Sequence, residues 1–494
     1  MSGLAAFGDR LLEVADERAA QPALRYRGKT WSYQRLMRRI LGIAGRLREQ
    51  GLQQGDRVLV VCQQKLPLLL SHLATIMAGG ISVPLNPRFT VHELGYFLSD
   101  ATPCLAIADG DAAGLLTELI QQQAAACRVL HPAGLTRKDG VPLAEPSFQP
   151  TDDALMLYSS GTTGQPKGAV HTHGNLLAAV AAIAQYWRFT PEDRLLNCLP
   201  LYHIHGLSFA CHTALVCGCE TLLEDRFHPR QTMKKMRQAT VFYGIPPFHY
   251  AFLRRPEFGE YARQWQDLRL ITCGSAPIRP EVLPELEQKV GRPIINRYGM
   301  TETHVITSLP LDGPHKQGSV GLPLPGIELV VRNKAGHTAD ADEVGQVWVR
   351  GPNLFDRYWN MPDPLSADGW FDAGDLAERD ADGFLTLRGR EKDLIIVSGF
   401  NVYPPVVERV LNSCPAVRES AVIGIPNDRK GECVVAVVVP ENREADQAAI
   451  MAYAAERLVD YQRPDHIEFV EELPRNSMGK VLKRELRELL STEG

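Results

Sequence analysis

One glycine-rich segment, residues 158–170, carries the residue types that commonly bind phosphate. It reads YSSGTTGQPKGAV and combines three glycines, four hydroxyl side chains and the single lysine Lys167. Glycines expose backbone N–H groups, hydroxyls donate hydrogen bonds and a lysine adds positive charge, so the segment is predicted to bind phosphate. A Walker A loop needs four residues between its first glycine and Gly-Lys-Ser/Thr, and that spacing is absent. A kinase-type phosphate loop is therefore not indicated.

A second segment, NRYGMTET at residues 296–303, combines an aromatic ring with a hydroxyl and a carboxylate. Tyr298 offers a face on which a nucleotide base could stack. Thr301 and Glu302 bring together the oxygen groups that suit a magnesium–phosphate site. Taken alone the pattern is weak, because Thr-Glu pairs also cap the ends of ordinary helices.

Two further motifs, closer to the C-terminus, contain charged residues. Asp375 follows an aromatic pair in GWFDAGDL and could accept hydrogen bonds from ribose hydroxyls, while Arg390 follows in LRGREKD and could reach a ribose or phosphate oxygen. Lys480 follows a glycine in LPRNSMGKVL. Read in isolation, these motifs also fit a charged hairpin and a solvated lysine.

Composition bounds the class of protein that can carry these motifs. The 494 residues exceed what one hydrophobic core normally serves, so at least two domains are expected. A net charge of −5 with interspersed signs argues against a nucleic-acid partner. No apolar run is long enough to span a membrane, and the N-terminus lacks a basic region of a secretory signal. Ten cysteines, mostly inside apolar runs, indicate reduced thiols and a cytoplasmic location rather than a metal site.

The order of predicted elements gives an α/β fold class. Helical and strand-like segments alternate through the first three hundred residues, which is typical of mainly parallel sheets covered by helices. Short strands with glycine turns begin near residue 310 and indicate a small β-barrel-like unit. Beyond residue 392 a helix–strand–strand–helix set predicts a small α+β domain. We therefore expect an N-terminal domain over 1–391 and a C-terminal domain over 392–494.

Together the four motifs, in this order and across essentially the whole chain, resemble the superfamily of adenylate-forming enzymes. Its members include acyl-CoA synthetases, adenylation domains of peptide synthetases and firefly luciferase. The strings YHIHGL, GSAP, RYGMTET and SGFNVYP look most like the malonyl-CoA synthetase branch. The resemblance implies two mainly parallel αβ-sheet subdomains plus a small β-barrel, followed by a mobile C-terminal domain. It also implies an AMP-forming acid–thiol ligase that uses ATP, Mg²⁺ and coenzyme A.

The resemblance assigns a role to each matching residue. Lys480 would bridge the substrate carboxylate and the α-phosphate, Thr301 would contact the α-phosphate, and Glu302 would coordinate magnesium. His203 would gate the pantetheine tunnel, and Lys392 would be the hinge about which the small domain rotates. Ser398, Gly399 and Phe400 would line the CoA tunnel after that rotation. The implied ATP-binding residues are Ser159, Ser160, Gly161, Thr162, Thr163, Gly164, Lys167, Gly274, Ser275, Ala276, Tyr298, Gly299, Met300, Thr301, Asp375 and Arg390. The implied acid pocket is formed by Tyr243, Phe248, His249, His304 and Val305.

The substrate and the acceptor stay open at this level. Malonate-binding relatives carry two arginines whose matching positions here are Ala251 and Pro284. Other arginines could substitute for them: Arg254, Arg255, Arg279 and Arg297. A monocarboxylate, aliphatic or aromatic, is the preferred expectation beside a malonate-type acid. The acceptor is expected to be CoA, with the phosphopantetheine thiol of an acyl carrier protein as the alternative. An ATP phosphotransferase or a nucleotide sensor is an alternative of a different class, and monomer and homodimer both stay open.

Overall fold

The computed structural model describes residues 5–136, 143, 146–159, 165–427, 429–442 and 445–491. The first part of this chain alternates helices with short buried strands. In order, its elements are α1 (Phe7–Glu17), β1 (Pro22–Tyr26), β2 (Lys29–Ser32), α2 (Tyr33–Glu49), β3 (Arg57–Val61), α3 (Lys65–Met77), β4 (Ile81–Pro84), α4 (Val91–Ala101), β5 (Leu105–Ala108), α5 (Gly110–Gln122), β6 (Arg128–Leu130) and α6 (Pro132–Thr136).

The second part continues the alternation and includes one π-helix, His205–His212. A short 3₁₀ helix, Pro280–Val282, precedes its last α-helix. The other elements are β7 (Asp153–Ser159), β8 (Lys167–Thr172), α7 (His173–Tyr186), β9 (Arg194–Asn197), α8 (Thr213–Val216), β10 (Glu220–Leu223), α9 (Pro229–Met236), β11 (Val241–Gly244), α10 (Pro246–Leu253), α11 (Phe258–Ala262), β12 (Leu270–Cys273), α12 (Leu283–Val290), β13 (Ile295–Met300) and β14 (His304–Ser308).

The remaining chain is richer in strands. It contains β15 (Leu322–Pro323), β16 (Glu328–Arg332), β17 (Gly345–Arg350), β18 (Arg357–Tyr358), β19 (Phe371–Arg379), β20 (Leu385–Arg390), β21 (Ile395–Val397), β22 (Phe400–Val402), α13 (Pro404–Asn412), β23 (Val417–Asn427), β24 (Gly431–Pro440), α14 (Gln447–Ala455), β25 (His466–Phe469) and α15 (Lys483–Ser491). Two more 3₁₀ helices lie at Glu391–Asp393 and Asp460–Gln462.

Local sequence signals explain where several helices begin. Thr90 and Glu93 form a reciprocal capping box at the start of α4, which satisfies backbone N–H groups that the first turn leaves unpaired. Prolines begin α10 and α13, where a missing N–H group carries no cost. None of the helices in the described part of the chain is long and apolar enough to cross a membrane.

Two large sheets make up the N-terminal part. The nine-stranded sheet has the order β15-β14-β13-β12-β11-β9-β10-β1-β2, and the seven-stranded sheet has the order β18-β8-β7-β4-β3-β5-β6. Their central pairs are parallel, for example β11 with β12 and β3 with β4. The four strands β16-β17-β19-β20 form a separate antiparallel sheet. The α/β fold prediction, with two mainly parallel sheets and a small antiparallel unit, is confirmed.

The residues after the Glu391–Asp393 turn form a fourth sheet of their own. Its order is β22-β21-β24-β23, with β25 paired to β24, and helices α13 and α14 pack on it. Its buried side chains form two clusters separate from the N-terminal core, whereas Met478 packs with the N-terminal core. This arrangement suits the expected division near residue 392, and the exact boundary stays a prediction.

Candidate active site

The side chains of Tyr298 on β13, Asp375 on β19 and Arg390 on β20 meet in one group. The Tyr298 hydroxyl donates to Asp375 Oδ2 at 2.5 Å, and Arg390 Nε lies 2.9 Å from Asp375 Oδ1. Asp375 and Arg390 stand opposite each other across the β19–β20 pair. Burial raises the pKa of Tyr298, and the negative charge of Asp375 raises it further. Each Asp375 oxygen keeps a second lone pair with which it could accept a hydrogen bond from a ribose hydroxyl.

Lys480, from the C-terminal part, is buried within range of charge interactions with Asp375 and Arg390 of this group. The pKa of its amine is lowered from 10.5 to about 8, mainly by burial and in addition by the nearby cations Arg390 and Lys392. Asp375 and Asp393 act in the opposite direction. The structure therefore brings the predicted lysine within electrostatic range of the predicted ribose-binding pair.

Glu302 lies on the other side of Tyr298, in the turn between β13 and β14. Its Oε1 accepts a 2.9 Å hydrogen bond from the Tyr358 hydroxyl, and burial raises the pKa of that hydroxyl. Lys167 Nζ lies 5.2 Å from the centre of the Tyr358 ring, a cation–π distance. Tyr358 therefore connects a predicted phosphate-binding lysine to the predicted metal ligand.

The chain around Tyr358, residues 353–359, links the two large sheets. The Asn353 side-chain amide donates to the carbonyl of Thr303, and the Phe355 backbone N–H donates to the carbonyl of Glu302 at 2.8 Å. Arg357 and Tyr358 then pair with Val170 and Ala169 of β8. This linking segment fixes the Glu302 turn relative to the strand that begins at Lys167.

Magnesium bound with ATP would find a suitable ligand in Glu302. The carboxylate is buried and forms no ion pair with any residue of the described ranges. Mg²⁺ is usually held through one or two carboxylates together with substrate phosphates, so one such oxygen donor fits the ion. When bound, magnesium would neutralise phosphate charge.

The predicted phosphate segment is only partly within the described residues. Ser159 and Lys167 stand opposite each other where β7 and β8 end, and the Ser159 hydroxyl donates to the Lys167 carbonyl at 3.5 Å. The other predicted members, Ser160, Gly161, Thr162, Thr163 and Gly164, lie outside the described residues. The pairing of β7 with β8 nevertheless shows that the chain leaves the sheet at Ser159 and re-enters it at Lys167, directly opposite.

A polar cluster lies under the GSAP segment. Ser275 has a φ of +69°, and its hydroxyl accepts from Arg297 Nη2 at 3.2 Å and lies 3.0 Å from His205 Nδ1. A side chain at Gly274 would place its Cβ 2.6 Å from Arg297 Nε, so glycine is the residue that leaves room for the guanidinium. Ala276 follows, half-buried, at the end of this segment.

Several atoms of this cluster are buried without a hydrogen-bond partner among the described residues. They are Arg297 Nε, His205 Nε2, Tyr243 Oη and Thr272 Oγ1. Arg297 is only 3% exposed, and burial lowers its pKa from 12.5 to about 10. Arg297 has no carboxylate partner among the described residues. Buried polar groups are normally paired, so such a cluster is suited to a ligand with polar or anionic atoms.

The other predicted acid-pocket residues lie in the core beside this cluster. Phe248 stacks on Phe227 with ring centres 3.8 Å apart, and His249 Nε2 donates to the Thr272 carbonyl at 3.1 Å. His304 Nε2 lies 3.0 Å from Ser208 Oγ, and Val305 is buried next to it. Gly299 and Met300 end β13, and Thr301 follows them.

The remaining predicted residues lie elsewhere. His203 contacts Ser477 of the C-terminal part, with Nε2 and Oγ 2.6 Å apart. Lys392 lies in the 3₁₀ turn between the two parts. Ser398, Gly399 and Phe400 form the exposed turn of the β21–β22 hairpin, where Phe400 is 56% exposed and stacks on Tyr461. No hydrogen bond or ring contact within the described ranges joins this hairpin turn to the Tyr298–Asp375–Arg390 group.

The sequence motifs do not predict a role for Tyr358 or Ser477. They offer Arg297 only as one of several arginines near the acid pocket. The Arg297 signal was present, because a cation directly before the Tyr298 motif points to the opposite face of the same strand. Tyr358 and Ser477 carried no comparable signal, since their contacts join segments that are distant in sequence.

Comparisons with known proteins agree with the family that the sequence motifs resemble. Residues 11–359 match the family model "AMP-binding enzyme", and residues 406–480 match "AMP-binding enzyme C-terminal domain". The crystal structure of ATP-bound MatB from Rhodopseudomonas palustris is 37% identical, covers 98% of both chains and superposes with a TM-score of 0.93. A feruloyl-CoA synthase from Amycolatopsis is 34% identical over 94% of this chain and 95% of its own. A mitochondrial malonate–CoA ligase from Mus musculus is 32% identical over 94% of this chain and 87% of its own. The chain therefore belongs to the family of AMP-binding enzymes, and its predicted membership of the adenylate-forming superfamily is confirmed.

Proposed function

We propose that this protein is an ATP-dependent acid–CoA ligase that forms AMP. In the first half-reaction a carboxylate attacks the α-phosphorus of ATP, giving an acyl adenylate and pyrophosphate. In the second, the CoA thiol attacks the acyl carbon and AMP leaves. The observation that carries the proposal is the meeting of Lys480 with the Tyr298–Asp375–Arg390 group.

The chemistry explains why a cation is needed at that place. A carboxylate and the polyphosphate of ATP repel each other, and negative charge grows on the α-phosphate oxygens as the new bond forms. Lys480 as an ammonium would offset both effects, and Thr301 would hold an α-phosphate oxygen. Asp375 would fix the ribose through its hydroxyls, so the reacting atoms are held in line.

The phosphate end of ATP is assigned to the segment that begins at Ser159. Lys167 would contact the β- and γ-phosphates together with Ser160, Thr162 and Thr163. The ring of Tyr298 would stack on adenine, beside Gly274, Ser275 and Ala276. Support comes from the register that places Ser159 opposite Lys167 and from the contact of Lys167 with Tyr358, the residue that binds Glu302.

The second half-reaction is assigned to a changed arrangement of the C-terminal part. Rotation about Lys392 would withdraw Lys480 and bring Ser398, Gly399 and Phe400 toward the tunnel gated by His203. The exposed position of the β21–β22 turn supports this assignment, because those residues are available to a new partner surface. An acyl carrier protein is the alternative thiol donor. Ten free cysteines support a cytoplasmic location for the enzyme.

We further propose that the acid carries a second polar or anionic group that faces Arg297. One of the two relatives is named for an aromatic acid and the other for a dicarboxylate, so their names do not decide between the two acid classes. Arg297 is buried without a carboxylate partner among the described residues, and a carboxylate of the substrate would supply one. This observation favours a short dicarboxylate over the aliphatic or aromatic monocarboxylate that the sequence indicated.

A pyrophosphate-release screen tests the whole assignment. Purified enzyme, ATP and magnesium are incubated with malonate, succinate, fatty acids, benzoates, cinnamates and amino acids, each with and without CoA. The expected result is acid-dependent pyrophosphate and AMP, with an acyl-CoA product when CoA is present. Release of phosphate and ADP would indicate a phosphotransferase instead. Acid-dependent pyrophosphate exchange without any acyl-CoA product would indicate a carrier protein as acceptor.

A further inference from the structure

A tight turn, residues 476–479, directly precedes Lys480 and is here called the docking turn. Asn476 Oδ1 accepts from the backbone N–H groups of Met478 and Lys480, both at 3.0 Å. The Asn476 N–H donates to the Lys480 carbonyl at 3.0 Å, and the Gly479 N–H donates to the Asn476 carbonyl at 2.9 Å. These bonds fix the backbone from Asn476 to Lys480 as one rigid unit.

The outer side of the docking turn contacts the N-terminal part at three points. Ser477 Oγ lies 2.6 Å from His203 Nε2. Met478 is 5% exposed and packs within the N-terminal core cluster rather than with its own sheet. Gly479 has a φ of +82°, and a Cβ at this position would lie 2.4 Å from Cγ of Pro247. The seat of the docking turn is therefore formed by His203 and Pro247.

These contacts couple the seat to the reacting amine. Lys480 continues the rigid backbone of the turn, so its place relative to Asp375 and Arg390 depends on how the turn sits against His203 and Pro247. Ser477 makes the polar contact, Met478 the apolar contact and Gly479 the close backbone approach. A turn whose backbone is fixed by its own hydrogen bonds, and whose outer side contacts the N-terminal part, acts as a positioning element.

We infer that the docking turn is a positioning device, in which Ser477, Met478 and Gly479 place Lys480 for acyl-adenylate formation by binding the seat at His203 and Pro247. The inference rests on the proposed function for the reaction that it serves. It adds to that function by naming positioning residues outside the nucleotide and acid contacts.

Acid-dependent pyrophosphate exchange measures the step that needs Lys480 in place. Ser477→Ala removes the contact with His203 and is expected to slow exchange about fivefold, the size of one hydrogen bond. Ser477→Thr keeps the hydroxyl and is expected to restore the rate. Gly479→Ala brings a methyl group against Pro247 and is expected to slow exchange about a hundredfold, since small misplacements of a reacting group are costly. Pro247→Ala in the Gly479→Ala background should recover part of that loss.

A second readout needs no catalysis and separates positioning from general damage. Labelling of the Lys480 amine with an amine-reactive reagent across the pH range, read by mass spectrometry, reports its pKa directly. The charged groups around it are Asp375 on β19, Arg390 on β20, and Lys392 and Asp393 in the 3₁₀ turn. Wild-type Lys480 should titrate at about 8, and release of the turn in Gly479→Ala should move that value toward 10.5. Ser413→Ala, which removes an exposed hydroxyl that contacts Val410 and Tyr453, is the matched control and should change neither readout.

Two results would overturn the inference: wild-type exchange rates in both Ser477→Ala and Gly479→Ala, or an unchanged Lys480 titration in Gly479→Ala. An enzyme whose wild type shows no acid-dependent exchange would refute the proposed function instead. The labelling experiment would then still decide whether the turn positions Lys480.

Discussion

At the scale of single residues, two cations carry the specificity and the chemistry of the proposed reaction, and they differ in environment. Arg297 is buried beneath the acid pocket with one hydrogen bond to Ser275 and no carboxylate among the described residues. Lys480 lies among two other cations and two carboxylates. In the proposed function, Arg297 binds the far end of the substrate and Lys480 acts at the reacting carboxylate.

Replacing Arg297 with methionine tests its role in substrate choice. The kcat/KM for a dicarboxylate is expected to fall, because a buried carboxylate would lose its partner. The fall should correspond to a loss of about 2–4 kcal/mol of transition-state stabilisation. A monocarboxylate of similar size should lose much less. Arg254→Met, at an exposed arginine of the same region, serves as the control and should leave both values unchanged. An equal loss for both acids would contradict the assignment of Arg297 to the distal carboxylate.

The pH dependence of adenylation tests the charge on Lys480. Its pKa is lowered to about 8, so the ammonium form is present below that value and is lost as the pH rises through it. The rate of pyrophosphate exchange is therefore expected to decline above about pH 8. Lys480→Arg keeps its charge at all of these pH values and should remove this decline, although the rate itself will be lower.

A second variant, Lys480→Ala, measures how much the lysine contributes to the rate of exchange. Lys480→Ala should reduce exchange about 10²- to 10³-fold through loss of transition-state charge stabilisation. Exchange at the wild-type rate in this variant would refute the assignment of the lysine.

At the scale of elements, the π-helix and α3 meet through two histidines. His72 Nε2 lies 2.8 Å from His212 Nε2, and His72 Nδ1 lies 2.8 Å from Ser82 Oγ of β4. The two rings are stacked with centres 5.1 Å apart. The π-helix begins two residues after His203 and ends at His212, so this pair fixes the far end of the element that follows the proposed gate.

The histidine pair predicts acid-sensitive stability. Burial lowers the pKa of His72 to about 3, below its ordinary value of 6.5. The folded state therefore binds fewer protons than the unfolded state between these values, and stability present above pH 6.5 is lost as the pH falls. His72 alone should contribute a slope of about 1.4 kcal/mol of unfolding free energy per pH unit.

Urea unfolding over the acid range measures this slope. His72→Gln should reduce the slope by that amount, whereas His92→Gln, at an exposed position of α4, should leave it unchanged. An identical slope in wild type and His72→Gln would show that the pair is not the source of acid sensitivity.

At the scale of the whole molecule, a large N-terminal part carries the proposed ATP and acid sites, and a small C-terminal part carries Lys480. The 3₁₀ turn Glu391–Asp393 joins them, and Asp393 accepts from Arg487 of α15 at 2.9 Å. Few polar contacts within the described ranges cross between the parts away from this turn, among them Ser477 with His203 and Arg279 with the Arg418 carbonyl. A hinge at Lys392 is consistent with so sparse an interface.

Lys392→Pro tests the two-state proposal by restricting the backbone at the junction. Acid-dependent exchange is expected to persist, because the arrangement described above already places Lys480 at the nucleotide site. Formation of acyl-CoA from isolated acyl adenylate should be lost, since that step needs the rotated arrangement. Lys392→Ala, which leaves the backbone free, is the control and should retain both half-reactions. Equal loss of both in Lys392→Pro would argue against a hinge at this residue.

The sequence predicted the sheets, the small antiparallel unit and the meeting of Asp375, Arg390 and Lys480, because local patterns and an ordered set of motifs carry that information. It did not predict the π-helix, whose irregular turn is fixed by tertiary packing rather than by periodicity. Its preference for a monocarboxylate, aliphatic or aromatic, stays a prediction, and the unpaired state of Arg297 could not enter it because that state depends on neighbours from distant strands. The contact between Tyr358 and Glu302 was equally invisible, as 56 residues separate them.

The linking segment 353–359 also bears on when the site can form during synthesis. It supplies the edge strand beside β8 and the hydrogen bonds to the Glu302 turn, and Arg357 pairs with Asp153, 204 residues earlier in the chain. Contacts of such long sequence separation form slowly and only after the later partner has been made. A nascent chain that ends before residue 353 therefore lacks the edge strand beside β8 and the hydrogen bonds that hold the Glu302 turn against that sheet. The ATP end of the site is completed late in translation, and chaperone dependence should be greatest for chains arrested in that interval.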